Sequence, residues 1–132
     1  MRGDRRWQVA LLAVAAITVL RLVLSPRLGL AADEAYYYCW SQELAWGYFD
    51  HPPMVAALIR LGTSVLGTTH LALRAPMILC QGAGFLALLY GFRDRGRSSL
   101  LALLLLATPF FFVTGLLATP DAVLCAAWCL GL

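Results

Sequence analysis

Apolar positions fill most of the chain in four long runs, and short polar segments separate them. The runs cover residues 7–24, 71–92, 100–117 and 122–132. Each of the first three is close to the about 20 apolar residues that a helix needs to cross a bilayer. The pattern predicts an all-α polytopic membrane protein with three spans and a truncated fourth, the N-terminal part of a longer helix bundle.

The segment between the first two spans, residues 25–70, contains two shorter predicted helices. The first covers residues 34–45, and Asp33 is well placed as its N-cap. The second begins at His51 and the two prolines that follow it, and it ends before Gly67. Polar and apolar residues occupy different sides of this second helix. That separation is typical of a helix lying in the plane of a membrane surface.

Composition supports a membrane protein, and the arginines predict its orientation. Of 132 residues, 61% are hydrophobic and 13% are charged. Arginines cluster before the first span and between the second and third, whereas the others are scattered over residues 21–74. By the positive-inside rule the N-terminus is cytoplasmic, and residues 25–70 are exoplasmic. The net charge of +3 then reflects topology rather than nucleic-acid binding. The clustered arginines are Arg2, Arg5, Arg6, Arg93, Arg95 and Arg97.

An alternative interpretation of the first run is a cleaved signal peptide. Basic residues precede the run, and Gly29-Leu30-Ala31 resembles a small-residue cleavage site. The run is, however, longer than a usual signal core, and Arg21 interrupts its far end. An uncleaved span is therefore favoured.

Four carboxylates and a histidine fall on the predicted exoplasmic side. They are Asp33, Glu34, Asp50, Asp121 and His51. Each aspartate stands at a predicted helix start, where a carboxylate is locally favourable, and Thr119 and Pro120 complete such a start before Asp121. Taken singly, each aspartate is more typical of a helix start than of a catalyst. Taken together, charges near membrane depth are costly and usually functional, so the group predicts an active-site loop.

Other features have simpler explanations. The aromatic residues of the segment 36–49 fit the aromatic belt of a membrane surface, although some could wall a sugar or lipid site. The four cysteines lack the spacing of a metal site and are interpreted as small packing residues. Gly82 and Gly84 predict a close contact between helices.

The segment "ADEAYYYCWSQELAWGYFDHPPMVAALIRLG" closely resembles the first exterior loop of the protein O-mannosyltransferase-like GT-C glycosyltransferases. The acidic pair after the first span, the Tyr-Phe-Asp-His-Pro-Pro segment and a later Thr-Pro-Asp follow the family order. That superfamily includes bacterial aminoarabinose transferases of lipid A and Rgt-type glycosyltransferases of the lipopolysaccharide core.

The resemblance implies a GT-C-like bundle in the bacterial plasma membrane. It implies transfer of a sugar from a polyprenyl-phosphate donor to an exoplasmic acceptor, generally with inversion. By resemblance, Asp33 is the general base, with Glu34 adjacent and Asp121 as a second active-site carboxylate. Asp50 and His51 match a position that can help to bind a divalent metal ion, the one cofactor implied. Complete relatives have many more spans, so this chain alone is expected to be inactive.

Two alternatives remain open. One is a non-catalytic membrane protein whose exterior helices bind lipid or a partner chain. The other is part of a transporter, which predicts charged residues or broken helices near the middle of the membrane. The predicted spans offer only Arg74 and Gln81 near their ends, together with Pro109.

Overall fold

The computed structural model describes residues 2–91 and 98–131, with the side chains of residues 5–91 and 99–131. All regular elements in these ranges are helices, so the predicted all-α class is confirmed. In chain order they are α1 (Arg2–Leu24), a 3₁₀ turn (Ser25–Arg27), α2 (Ala32–Gln42), α3 (Met54–Leu66), α4 (His70–Gly91), α5 (Ser98–Leu106), α6 (Pro109–Thr114) and α7 (Pro120–Gly131). Arg93, Arg95 and Arg97, on which the predicted orientation partly depends, lie outside the described residues.

Helix α4 is the most buried long helix described, α1 packs along it, and the two match the first two predicted spans. Arg5–Arg27 and His70–Gly91 are long and apolar enough to cross a membrane. Two glycines of α4 let its neighbours approach closely, as predicted. A Cβ atom at Gly84 would lie 2.8 Å from Cα of Ala126 on α7, and one at Gly82 would lie 3.0 Å from Oγ1 of Thr18 on α1.

The third apolar run is divided, and the prediction of one continuous helix is wrong here. Helix α5 ends at Leu106, and α6 begins at Pro109. Proline lacks the amide hydrogen that continues a helix, and it drives the preceding residue into extended conformation. Thr108 is indeed extended, with φ −78° and ψ 136°. The local sequence therefore interrupts the helix despite its apolar composition.

A buried arginine of α1 contacts this divided run. Arg21 is 1% exposed; its Nη1 donates to Oε1 of Gln81 at 2.6 Å, and its Nη2 donates to the carbonyl oxygen of Phe111 at 2.5 Å. Its Nε is buried without a hydrogen-bond partner, and its guanidinium carbon lies 5.4 Å from the centre of the Phe112 ring. Over the described side chains, no carboxylate lies within salt-bridge distance of Arg21. The charge is therefore stabilised only by neutral groups.

The two exterior helices exist, with boundaries close to those predicted. Helix α2 covers Ala32–Gln42 rather than 34–45. Helix α3 covers Met54–Leu66, and Gly67 ends it with φ 71°, a left-handed conformation that glycine adopts without strain. Gly62 brings α3 against α4, because a Cβ atom there would overlap the carbonyl oxygen of Ala72.

Two hydrophobic clusters fill the described interior. The first joins α1, α4 and α5 through Ala10, Val14, Phe85, Leu88, Leu89, Ala102 and Leu106. The second joins α2, α3 and α4 to the start of α7 through Tyr37, Val55, Ile59, Leu73, Met77, Ala118 and Ala122. The second cluster brings the start of α2 next to the start of α7, and with them the acidic residues of both helices.

Candidate active site

A buried ion pair joins α2 to α4 beneath the acidic surface. Arg74 and Glu34 are both fully buried, and the guanidinium meets the carboxylate with two parallel bonds: Nε to Oε1 at 2.7 Å and Nη2 to Oε2 at 2.5 Å. The remaining Arg74 donors reach the carbonyl oxygens of Ser25, Leu28 and Gly29. All five donors of Arg74 therefore have acceptors.

The Glu34 carboxylate also binds backbone groups from two different segments. Its Oε2 accepts from the amide of Ala31 at 3.0 Å, and its Oε1 accepts from the amide of Ala118 at 2.8 Å. Burial alone would raise the pKa of this carboxyl, but the bonds from Arg74, Ala118 and Ala31 outweigh it and lower the pKa below its ordinary value. An ionised Glu34 thus ties the start of α2 to the turn before α7.

Asp33 does not cap α2, and that part of the sequence prediction is wrong. The N-cap position is Ala31, and Glu34 satisfies its amide as the second half of a capping box. Asp33 lies in the first turn of α2, and its side chain is exposed. Among the described residues, this side chain makes no hydrogen bond or salt bridge. Its carboxylate is left available to solvent or to a ligand.

Asp121 occupies a similar position on α7. The helix begins at Pro120 as predicted, and Asp121 is exposed in its first turn. The predicted side-chain cap from Thr119 is not made, because its hydroxyl oxygen is buried without a hydrogen-bond partner. Within the described part of the chain, the Asp121 side chain also makes no hydrogen bond or salt bridge.

Tyr37 lies where three segments that each carry an aspartate meet. Tyr37 is 6% exposed. Burial raises the pKa of its hydroxyl, and the negative charges of Asp33, Asp50 and Asp121 raise it further. Tyr37 also packs in one buried cluster with Ala118 and Ala122 and contacts the His51 ring, so the segments that carry Asp33, Asp50 and Asp121 all approach this side chain. The structure brings together the three segments that carry these aspartates, whereas the Glu34 side chain is buried.

Aromatic packing fixes the segment that carries Asp50. Trp40 of α2 stacks on Tyr48, with ring centres 4.4 Å apart and planes 6° apart. The Tyr48 hydroxyl accepts from the amide of Ala45 and lies 3.0 Å from the carbonyl oxygen of Trp40. The His51 ring packs edge-on against Tyr37 at 5.6 Å. Several of these aromatic residues therefore hold the loop against α2.

The two residues predicted to help bind a metal ion lie close together. His51 Nε2 and Asp50 Oδ2 are 3.9 Å apart. Over residues 2–91 and 98–131, no group of three or more His, Cys, Asp or Glu side chains is arranged to hold a metal ion. Two donors are fewer than a protein metal site normally uses, so the described residues do not by themselves fit a bound ion.

Sequence reasoning missed the two residues that organise the site, Arg74 and Tyr37. Arg74 stood out only as a charge near the end of an apolar span. That position was itself a signal, because a cation inside a membrane helix needs a buried partner. Nothing in the sequence distinguished Tyr37 from its aromatic neighbours, since its importance depends on three distant aspartates.

Comparison with known proteins supports the resemblance seen in the sequence. The family described as dolichyl-phosphate-mannose-protein mannosyltransferase matches residues 50–132, which include Asp50, His51 and Asp121. A lipid A galacturonosyltransferase, RgtD, from Rhizobium johnstonii (strain DSM 114642 / LMG 32736 / 3841) is 40% identical over 60 residues. The alignment covers 44% of this chain and 13% of that relative. No solved structure matches the chain.

Proposed function

This chain belongs to the dolichyl-phosphate-mannose-protein mannosyltransferase family, and we propose that it is part of a membrane glycosyltransferase using a polyprenyl-phosphate sugar donor. The observation that carries the proposal is that the segments bearing Asp33, Asp50 and Asp121 meet at Tyr37, which packs with Ala118 and Ala122 and against the His51 ring. These carboxylates lie at the end of the molecule where α1 ends and α4 begins. A lipid-linked donor held in the membrane presents its sugar at such a surface.

In this proposal Asp33 is the general base. As the oxygen of an acceptor hydroxyl attacks the anomeric carbon, the carboxylate of Asp33 takes its proton. The bond between that carbon and the donor phosphate breaks, and the electron pair leaves with the polyprenyl phosphate. Asp121 is the second carboxylate and stabilises the positive charge that develops on the sugar ring. Both side chains are exposed and make no hydrogen bond among the described residues.

Glu34 has a positioning role in this proposal. Its two oxygens already accept bonds from Arg74, Ala31 and Ala118, and it has no exposed surface. It therefore acts on the reaction through the segments it fixes. The same carboxylate holds the helix that carries Asp33 and the turn that precedes Asp121, and rigid support of this kind preserves catalytic geometry.

The test is Asp33→Asn in the protein that contains this chain, assayed with a polyprenyl-phosphate sugar at equal membrane expression. Because Asp33 is not the N-cap, the change removes a charge without removing a cap. The rate should fall by about 10²- to 10⁴-fold, the usual contribution of a general base. Glu43→Gln is the matched control, since Glu43 is an exposed carboxylate just beyond α2.

Near-normal turnover by Asp33→Asn would remove Asp33 from the mechanism and leave Asp121 as the candidate base. Absence of turnover in the wild-type protein would instead favour the alternative of a non-catalytic membrane protein. Metal binding by Asp50 and His51 stays a prediction, and no step above depends on it.

We further propose that residues 25–70 face the exoplasmic side of the bacterial plasma membrane. Cys39 is a free, exposed thiol on α2. A membrane-impermeant maleimide added to intact cells should label it, whereas a cysteine placed at Gly96 should stay unlabelled. The reverse labelling pattern would contradict this orientation.

A further inference from the structure

A polar cavity lies between α2 and α3, on a different side of α2 from Asp33. Its volume is about 270 Å³, and its lining consists of Tyr38, Gln42, Arg60, Thr63, Ser64 and Thr68. At about 100° per residue, Tyr38 and Gln42 stand roughly 140–180° around α2 from Asp33. The cavity is therefore separate from the candidate active site.

The lining of this cavity suits an anion. Arg60 is exposed, and its guanidinium makes no salt bridge or hydrogen bond within the described part of the chain. The hydroxyls of Tyr38 and Thr68 likewise have no hydrogen-bond partner among the side chains described. One positive charge and two hydroxyl groups without partners among the described residues thus line the same space, which is a combination that binds a phosphate group.

The surface beside the cavity is apolar and exposed. Met54, Leu61 and Val65 follow one another along α3 at helical spacing and are 53%, 57% and 72% exposed. The opposite side of α3 is buried against α4. Arg60 stands between these two sides. Helix α3 therefore has a buried face, a polar face and an exposed apolar face.

The position of α3 between the two candidate spans indicates that it lies at the membrane surface. Residues 28–69 connect the end of one candidate span to the start of the next, so both span ends reach the same membrane surface. A cationic cavity next to an apolar stripe at that level matches a phospholipid, whose anionic head group adjoins its acyl chains.

We propose that the Arg60 cavity binds the phosphate of an anionic phospholipid and that the acyl chains lie along the apolar stripe of α3. The site goes beyond sugar transfer and does not depend on it. Its function is to fix the depth and rotation of α3, and therefore of the loop before it, relative to the membrane surface.

The experiment is a titration of the purified, detergent-solubilised protein with dioctanoyl phosphatidylglycerol, followed by tryptophan fluorescence. Dioctanoyl phosphatidylcholine serves as the neutral lipid, and inorganic phosphate tests whether a free anion suffices. Arg60→Gln should weaken phosphatidylglycerol binding about tenfold, because charge-assisted bonds to the phosphate are lost. Arg60→Lys should retain part of the affinity, since it keeps the charge but not the planar fork.

The matched control is Arg27→Gln. Arg27 is also exposed at this end of the molecule, and its Nη1 donates to the carbonyl oxygen of Val23. The proposal expects this change to leave phosphatidylglycerol binding unaltered. Equal weakening by the Arg27 and Arg60 substitutions would show only general attraction between charges and would overturn the site. Binding of inorganic phosphate as tight as that of the lipid would overturn the lipid as occupant.

Discussion

Two of the arginines that the structure describes are buried, and their surroundings differ completely. Arg74 has an acceptor for each of its five donors, including both oxygens of a fully buried carboxylate. Arg21 has an amide oxygen, one carbonyl oxygen and an aromatic ring, and its Nε has no partner. The first site is an ion pair with complete hydrogen bonding, and the second is a single cation among neutral groups.

A charge in an apolar helix can therefore have two different consequences. A buried charge is tolerated at low cost only where it is paired and hydrogen-bonded. The Arg74 site meets that condition, and it fixes the segments carrying Asp33 and Asp121. The Arg21 site meets it incompletely, and it holds the divided third run through Phe111. Burial alone therefore does not measure how much an arginine stabilises the fold.

The largest effect is expected from Arg74→Met. The substitution leaves Glu34 charged, buried and unpaired, so the free energy of unfolding should fall by about 3–5 kcal/mol. Reversible denaturation of the protein in mixed micelles measures it. Arg60→Met is the matched control on the exposed surface and should change the same quantity by less than about 0.5 kcal/mol. A loss below about 1 kcal/mol for Arg74→Met would contradict the conclusion that the paired arginine strongly stabilises the fold.

A smaller effect is expected from acid. The folded pKa of Glu34 lies below the ordinary value of 4.5, so its stabilising contribution is complete above that value and is lost as pH falls through the folded pKa. No titrating carboxylate contacts Arg21 among the described residues, so the second site should not respond. Melting temperatures from about pH 6 to about pH 3 measure the slope, which should flatten in Glu34→Gln. An unchanged slope in that variant would show that the loss of stability in acid does not come from Glu34.

The smallest effect is expected from Arg21→Met. Removing the charge loses two hydrogen bonds but also abolishes the cost of burying an unpaired cation. The free energy of unfolding should therefore change by less than about 1 kcal/mol in either direction. The same denaturation assay measures it. A loss of about 3 kcal/mol or more would show that Arg21 stabilises the fold as strongly as a paired arginine does.

Local signals in the sequence predicted much of the helical layout. The two exterior helices, the end of α3 at Gly67 and the close contacts of Gly82 and Gly84 all follow from residue type and spacing. Composition alone was misleading for residues 100–117, where the apolar run predicted one helix and Pro109 divides it. A proline next to a threonine had more influence there than average hydrophobicity.

The arrangement of the site could not be read from the sequence, because its contacts join distant residues. Glu34 and Arg74 are 40 residues apart, and Glu34 and Ala118 are 84 apart. Periodicity and capping rules act over a few residues and cannot report such pairs. The same limit explains why Asp33 was assigned as the cap, since Ala31 carries no side-chain signal of its own.

The sequence separation between partners also has a consequence for biosynthesis. Ribosomes make the chain from its N-terminus, so Arg21 is made before Gln81 and Phe111. The partners of Arg21 lie 60 and 90 residues downstream. Until both residues have been made, the Arg21 guanidinium must find other partners, such as water. The contacts that bury Arg21 can therefore form only after part of the third apolar run has been made.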